Sequence, residues 1–145
     1  MTSDDILAMQ IAPQLAFRGQ CREAFEIYKA VLGGEIAVMN SFGENDAELP
    51  PGSTAAAPDH IRFAELRIGG YAILGNDVSE DEYQPMRGFH IALHVRTGGD
   101  AHRIFDALSQ GGEIETPLCE VAWSSAFGIC TDRFGTPWLI LALDK

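Results

Sequence analysis

The tetrapeptide Gly-Gly-Glu-Ile occurs twice in this chain, at residues 33–36 and again at residues 111–114. Each copy follows a stretch in which apolar residues recur with helical spacing. Apolar positions within residues 24–31 match apolar positions within residues 101–108 at a constant separation of 77 residues, and the separation becomes 78 at the tetrapeptides. A one-residue gap at the helix end explains the difference. Internal similarity of this kind indicates a repeated supersecondary unit. The sequence therefore predicts a small α+β unit that is duplicated within one chain.

Length and composition indicate one soluble domain. The 145 residues fall in the usual size range of a single domain, and 46% hydrophobic with 21% charged residues is typical of globular proteins. No apolar run approaches the roughly 18 residues of a membrane-spanning helix. Residues 1–9 contain no basic residue of the kind that begins a secretory signal. We therefore expect residues 1–145 to form a single cytoplasmic domain with no membrane partner.

The cysteines and the net charge exclude several classes of protein. Cys21, Cys119 and Cys130 are scattered and have no CxxC spacing, which argues against a disulfide framework and against a zinc knuckle. Cys21 comes at the start of a predicted helix, a position that lowers the pKa of a thiol. The net charge of −11 makes the phosphate backbone of a nucleic acid an unfavourable partner.

Apolar periodicity and turn residues predict the same order of elements in both halves. The first half contains a strand at 11–17, a helix at 20–32, a strand at 35–42 and a hairpin at 61–68 and 71–74, with a long loop at 43–58. The second half contains a strand at 89–95, a helix at 100–110, a strand at 113–121 and a hairpin at 127–131 and 137–143. Repeat one thus covers residues 11–75, a linker covers 76–88, and repeat two covers 89–144.

Two βαβββ repeats of this kind predict a binding trough. A four-stranded sheet that carries one helix on one face leaves its other face uncovered. Two such sheets placed side by side would curl their open faces into a trough, and a concave surface of that kind is a common small-molecule site.

Several segments carry a resemblance to a known superfamily. They are residues 19–24 (Gly-Gln-Cys-Arg-Glu-Ala), residues 32–35 (Leu-Gly-Gly-Glu), residues 104–108 (Ile-Phe-Asp-Ala-Leu) and residues 131–135 (Thr-Asp-Arg-Phe-Gly) with Pro137-Trp138. Together with the strand and helix order, they resemble the vicinal oxygen chelate superfamily, which includes glyoxalase I, extradiol dioxygenases and the fosfomycin and bleomycin resistance proteins. The PhnB-like branch, often labelled 3-demethylubiquinone methyltransferase-like, matches best over residues 11–144. The resemblance implies a glyoxalase-like fold and a homodimer, sometimes with exchanged halves. It leaves the reaction open, because members of this branch mostly lack an assigned reaction.

The resemblance also implies where a metal would be held. Metal-dependent relatives take four ligands from the first and fourth strands of the two halves. Side chains alternate between the faces of a strand, so in the strand at 89–95 we expect His90, Ala92 and His94 to face the trough. The apolar set on this strand (Ile91, Leu93 and Val95) should face the helix.

The four implied ligand positions contain too few donors. Matching the apolar residues of the first strands places Gln14 opposite His90, and matching the hairpins places Leu74 opposite Leu139. An amide oxygen is a weak ligand, and two leucines have no lone pair to donate, whereas a transition metal needs three or more donors. We therefore expect no metal and no cofactor.

Two questions about individual side chains stay open. Asn76 and Asp77 follow the fourth strand and are the remaining donors that could complete a metal site. Trp123 is interpreted either as a wall of the trough or as a side chain of the core. The sequence favours core packing for Trp138, and it favours a tight turn at residues 132–135.

Three hypotheses on function follow. In the first, the chain is a metal-independent small-molecule binding protein whose trough is walled by Leu74, Leu139 and Trp123, with a polar centre at Gln14 and His90. In the second, it is a lyase or dioxygenase with a degenerate metal site, or an enzyme with His90 as its general base, since a neutral imidazole suits that role. In the third, it is a non-catalytic scaffold or regulatory protein. Whether the chain is an enzyme, and which ligand it binds, stays open; His90 is the best catalytic candidate.

Overall fold

Both predicted repeats form, with the predicted order of elements. The computed structural model describes residues 9–43 and 57–145, so most of the predicted loop at 43–58 lies outside the described residues. The first repeat consists of β1 (Gln14–Phe17), α1 (Cys21–Leu32), β2 (Glu35–Ser41), β3 (Ile61–Ile68) and β4 (Tyr71–Asp77). The second repeat consists of β5 (Ile91–Val95), α2 (Gly98–Ser109), β6 (Glu113–Val121), β7 (Ser124–Thr131) and β8 (Pro137–Ala142).

The two repeats have the same sheet topology. The first sheet has the order β1-β4-β3-β2 and the second has the order β5-β8-β7-β6. In each sheet the first strand runs parallel to the last, and the other neighbouring strands are antiparallel. The predicted α+β class with two βαβββ units is therefore confirmed.

Both repeats need their Gly-Gly pair for the same two physical reasons. The first glycine of each pair ends its helical segment with a positive φ, +83° at Gly33 and +76° at Gly111, which glycine adopts without strain. The second glycine packs against the neighbouring strand. A Cβ at Gly34 would lie 2.2 Å from the Arg67 carbonyl oxygen, and a Cβ at Gly112 would lie 2.0 Å from the Thr131 carbonyl oxygen. A side chain at either second position would clash with backbone, so both repeats require glycine there.

The helices bury one face each and join the repeats. The buried side chains are Cys21, Ala24, Phe25 and Tyr28 of α1 and Ala101, Ile104, Phe105 and Leu108 of α2. They belong to one hydrophobic core with the helix-facing side chains of both sheets. The two helices contact each other, and the Arg103 guanidinium donates to the Val31 carbonyl at 3.0 Å. Each sheet therefore has an open face, which lies on the side away from its helix. None of the helices in the described ranges is long and apolar enough to span a membrane.

A buried polar cluster fixes α1 of the first repeat to the β7–β8 hairpin of the second. We call it the clasp; it consists of Tyr28, Asp132, Phe134, Thr136 and Trp138. The Tyr28 hydroxyl lies 2.6 Å from Asp132 Oδ2 and 2.8 Å from Thr136 Oγ1, and Trp138 Nε1 donates to the same carboxyl at 2.8 Å. The backbone amides of Phe134 and Thr136 donate to Asp132 Oδ1 at 2.9 and 3.0 Å. All five side chains are buried.

The clasp confirms two predictions and explains the Thr-Asp-Arg-Phe-Gly segment. Trp138 is fully buried in the core, as expected. The turn at residues 132–135 forms, with a φ of +94° at Gly135. The Arg133 guanidinium lies over the Phe134 ring, 4.6 Å from its centroid, and forms an ion pair with Glu23 of α1 at 2.7 Å.

Candidate functional site

Gln14 and Leu74 lie side by side on the open face of the first sheet. They are direct neighbours in the parallel pairing of β1 and β4. Gln14 is exposed and Leu74 is partly buried. The Gln14 amide donates to Asn76 Oδ1 at 3.0 Å, so Asn76 shares this face and its oxygen already accepts a hydrogen bond. Gln14, Leu74 and Asn76 therefore lie together on this face.

Asp77, the other donor that could have completed a metal site, has a structural role instead. It is buried with 2% exposure and points to the helix side of the sheet. Its Oδ1 accepts from the Cys21 amide at 3.0 Å and its Oδ2 accepts from the Ile61 amide at 2.7 Å. Gln20 makes no capping hydrogen bond with its side chain, so Asp77 satisfies a free amide at the start of α1. Both carboxyl oxygens are therefore engaged with backbone.

The prediction that Cys21 has a lowered thiol pKa was wrong. Burial raises the pKa of this thiol, and the nearby Asp77 carboxylate raises it further. The start of α1 is packed against the sheet, and the Cys21 amide already donates to the Asp77 carboxylate, so a negative charge occupies the helix end that would stabilise a thiolate. Cys21 is a core residue of the first repeat.

On the second sheet, β5 shows the predicted alternation. Ile91, Leu93 and Val95 pack against the core, and Ala92 and His94 are exposed. Leu139 of β8 is partly buried on the open face, where it pairs with Ala92 and with Ile129. His90 is exposed and lies just before β5, which begins one residue later than this side chain.

Trp123 is neither in the core nor on a strand. It lies in the turn between β6 and β7 and is 66% exposed, so it is not a core side chain. Its ring meets the ring of Phe127 edge to face, with 6.3 Å between the ring centroids.

The strand register corrects the predicted match between Gln14 and His90 by two residues. Gln14 pairs with Leu74, and Ala92 pairs with Leu139. Because Leu74 and Leu139 are counterparts in the two hairpins, the counterpart of Gln14 is Ala92. The ends of these strands give the same correspondence. The Val78 amide donates to the Phe17 carbonyl, and the Leu143 amide donates to the Val95 carbonyl, so Phe17 is the counterpart of Val95.

The residues at the implied metal positions do not fit a transition metal. After the correction, the four positions hold one amide and three apolar side chains: Gln14, Leu74, Ala92 and Leu139. The amide of Gln14 is already bonded to Asn76. Within residues 9–43 and 57–145, no group of three or more His, Cys, Asp or Glu side chains could hold a metal ion. The donor chemistry therefore falls short of the three or more ligands that such a site requires.

A cleft of about 880 Å³, which we call the junction cleft, lies between parts of the two repeats. It is lined by Gln10, Ile11 and Pro13 before β1, residues 68–73 of the first hairpin, residues 89–95 along β5, and Leu32 and Ile104 at the helices. His90 is the one predicted ligand-binding residue in this lining. Gln14, Leu74, Trp123 and Leu139 do not line it.

The junction cleft is apolar and carries few groups that can ionise. Among the described residues that line it, none is Asp, Glu, Lys or Arg, although the chain has a net charge of −11. The side chains that can form strong hydrogen bonds are Gln10, Tyr71, His90 and His94. Large apolar side chains are exposed around it: Ile11 is 90%, Tyr71 is 83% and Phe89 is 40% exposed. The sequence reasoning missed Ile11, Tyr71 and Phe89, although apolar residues at strand ends are a signal that could have identified them.

The open face of the first sheet also contains a buried carboxylate that sequence reasoning missed. Glu65 of β3 pairs with Leu74 in the sheet and is 7% exposed. It forms an ion pair with the more exposed Arg67. Strand alternation places Glu65 on the open face, but its burial depends on neighbours on β2 and β4 that are distant in the sequence.

Comparisons with known proteins agree with the fold. A family model described as 3-demethylubiquinone-9 3-methyltransferase matches residues 9–141. Protein YjdN of Escherichia coli (strain K12) is 33% identical over 138 residues, which is 91% of this chain and 94% of that protein. The crystal structure of protein PA1353 from Pseudomonas aeruginosa is 35% identical with a TM-score of 0.84, over 95% of this chain and 100% of that chain. A glyoxylase/bleomycin resistance protein/dioxygenase domain from Frankia sp. EAN1pec has a TM-score of 0.61 at 15% identity, over 93% and 97% of the two chains, and shows the same fold.

Proposed function

We propose that this protein binds a small molecule in the junction cleft without a metal ion. The chain belongs to the family described as 3-demethylubiquinone-9 3-methyltransferase, and it resembles the PhnB-like branch of the vicinal oxygen chelate superfamily. The observation that carries the proposal is the cleft itself. Its volume of about 880 Å³ lies in the usual range for small-molecule sites, which are mostly apolar with a few polar groups. The proposal concerns binding and assigns no reaction.

The polar side chains of the cleft would orient the ligand. His90 lies just before β5 and His94 lies on it, Tyr71 comes from the first hairpin, and Gln10 comes from the segment before β1. Neutral imidazole, amide and phenol groups can each both donate and accept hydrogen bonds. A ligand with one or two hydroxyl or carbonyl groups on an apolar body fits this lining, and it needs no metal ion to hold it.

Catalysis by His90 is a second candidate function. The imidazole is exposed and forms part of the cleft wall, where it could take a proton from a bound ligand. Turnover of a bound compound that is lost in His90→Ala, with binding retained, would favour this candidate over binding alone.

We also propose that the protein is a cytoplasmic homodimer. The first strand of each sheet is bonded on one side only, β1 to β4 and β5 to β8, among the described strands. Unpaired strand edges favour association between copies. A second copy would also cover the open faces that carry Gln14, Leu74 and Leu139, and would complete the predicted trough. Three free cysteines support a reducing, cytoplasmic location.

The dimer is tested by the mass in solution at micromolar concentration. We expect a mass near twice the 15.7 kDa of the chain in light scattering or sedimentation. A mass near 15.7 kDa would contradict the dimer and leave ligand binding in the junction cleft unaffected.

The binding proposal is tested with a neutral fluorescent probe, N-phenyl-1-naphthylamine. We expect saturable binding that EDTA does not change. Ile11→Asp, at a 90% exposed position in the cleft wall, should weaken binding about tenfold or more because it puts a charge into an apolar wall. The matched control is Leu143→Asp, at a 62% exposed apolar position outside the cleft, which should bind like the wild type. No saturable binding by the wild type, or equal loss in both variants, would refute the proposal.

A further inference from the structure

The internal repeat allows two equivalent regions of the molecule to be compared, one filled and one open. In the filled region, the second hairpin packs against α1 through the clasp. In the open region, the first hairpin and α2 line the junction cleft. We infer that the junction cleft takes a planar aromatic ligand, in the place that corresponds to the aromatic side chains of the clasp. This inference rests on the proposed function and adds the chemical class of the ligand.

The filled region is closed by aromatic side chains. Phe134 and Trp138 of the second hairpin pack edge to face on Tyr28 of α1, with ring centroids 6.3 and 5.2 Å from that of Tyr28. The three side chains are 0–5% exposed. The turn that carries Phe134 has five residues, 132–136, between β7 and β8. The length of this turn therefore lets an aromatic side chain reach the helix of the other repeat.

The open region lacks these side chains. Between β3 and β4 the turn consists of Gly69 and Gly70 alone, and a Cβ at either glycine would have no heavy atom within 4 Å. In the hairpin alignment, Ile73 takes the place of Trp138, and Gly69, which has no side chain, takes the place of Phe134. On the helix, Phe105 is the counterpart of Tyr28 by the 77-residue separation. The neighbouring Ile104 lines the cleft, together with Ile68 and Ile73 of the hairpin. The counterparts of the two aromatic side chains are thus a glycine and an isoleucine, and both line the junction cleft.

The lining agrees with an aromatic ligand of low charge. Apolar side chains form much of the wall, and Phe89 and Tyr71 offer rings for edge-to-face or offset contacts with a planar ligand. A strongly charged ligand would find no side chain of opposite full charge among the described lining residues, which include no Asp, Glu, Lys or Arg. A hydroxyl or carbonyl group on the ring could bond to His90 or His94. The expected class is therefore a neutral hydroxylated or carbonyl-bearing aromatic compound.

The test compares 2-naphthol with its saturated analogue, decahydro-2-naphthol, as competitors of N-phenyl-1-naphthylamine. Both have the same carbon skeleton and hydroxyl group, and they differ in planarity and aromaticity. We expect 2-naphthol to bind at least about fivefold more tightly, from contacts with the two rings at the rim. Phe89→Leu keeps an apolar side chain but removes one ring, so the preference should fall towards unity. Equal affinity of the two compounds, or an unchanged preference in Phe89→Leu, would overturn the inference.

A second variant locates the site. Ile73→Trp introduces the residue that stands at the counterpart position 138, so it should fill the cleft and lower the affinity for 2-naphthol at least about tenfold. If Ile73→Trp does not fold, the preference for 2-naphthol over decahydro-2-naphthol in Phe89→Leu still tests the inference. Binding to a folded Ile73→Trp at wild-type affinity would place the site elsewhere and refute the inference.

The outcomes separate this inference from the proposed function. Binding of the probe with no preference between the two naphthols would contradict the aromatic class alone. No probe binding at all would contradict both. Affinity that falls as the protein concentration rises through the dimerisation range would mean that a second copy occupies the cleft, and this too would overturn the inference.

Discussion

Tyr28→Phe removes one hydroxyl from the clasp and leaves its aromatic packing in place. This hydroxyl is 2.6 Å from Asp132 Oδ2 and 2.8 Å from Thr136 Oγ1, and all three side chains are buried. After the change, Asp132 Oδ2 keeps Trp138 Nε1 as a donor, and the Thr136 hydroxyl loses the Tyr28 hydroxyl as a partner. The ring itself should be tolerated, because Phe105 occupies the counterpart position in α2.

The expected loss of stability is about 1.5–3 kcal/mol, the usual range for a hydrogen bond to a charged group and for a buried polar group left without its partner. For a domain of about 150 residues, each kcal/mol shifts the melting temperature by about 2–4 °C. Tyr28→Phe should therefore melt about 3–12 °C below the wild type. Since the hydroxyl joins the two repeats, the loss should appear in the single unfolding transition rather than as a separate early step.

The measurement is thermal and urea unfolding of the wild type, Tyr28→Phe and a matched control. Tyr71→Phe removes a hydroxyl from an 83% exposed side chain, so its effect should stay within about 0.5 kcal/mol. A loss below that value in Tyr28→Phe would show that the hydroxyl does not stabilise the fold. An equal loss in both variants would mean that burial in the clasp is not the cause.

Three further predictions follow from the donors and thiols described above. Added Zn, Ni, Mn or Fe(II) should move the melting temperature by less than about 2 °C, whereas tight binding would move it by about 10 °C. Elemental analysis that finds one equivalent of metal per chain, lost in His90→Ala, would contradict this. The free energy of unfolding should fall as the pH rises above about 9, because the folded state raises the pKa of Cys21, of Tyr28 and, from 9.0 to about 11, of Cys130, chiefly by burial. Each group thus contributes its stability below its unfolded pKa and loses it as the pH rises through the folded pKa. Above pH 10 the free energy of unfolding should fall less steeply with pH in Tyr28→Phe than in the wild type. An unchanged slope would show that Tyr28 does not contribute to this pH dependence. At pH 8 a thiol reagent should modify one cysteine per chain rapidly, the exposed Cys119; a fast phase that persists in Cys119→Ser would contradict this.

Much of the fold could be predicted because both repeats carry the same local signals. Apolar spacing defines the helices to within about two residues at each end, and Gly69-Gly70 defines the first hairpin. The second glycine of each Gly-Gly-Glu-Ile segment meets a carbonyl oxygen of the neighbouring strand, so the repeated tetrapeptide reflects a repeated tertiary contact. Strand alternation also predicted correctly which side chains of β5 face the core.

The site could be predicted only in part, because two of its features depend on tertiary structure. Alternation along a strand has a period of two residues, so it cannot detect a shift of two. Matching Gln14 to His90 instead of Ala92 satisfied the apolar pattern equally well. The raised pKa of the Cys21 thiol comes first from burial in the folded core and then from Asp77, which is 56 residues away in the sequence. Local helix rules could predict a favourable amide position but not that a carboxylate already fills it.

The junction cleft also depends on tertiary structure, so the sequence did not predict it. It lies where the two repeats differ in structure. They are alike at the positions that the sheet requires, such as Gly34 and Gly112, where any side chain would clash with backbone. They differ in the hairpin turns, which meet the helix layer: five residues with Phe134 in the second repeat, and two glycines in the first. A turn is free to change because its own sheet does not need its side chains. Each such change alters how the hairpin meets the other repeat, so an asymmetric cavity can arise in a nearly symmetric fold without a cost to either sheet.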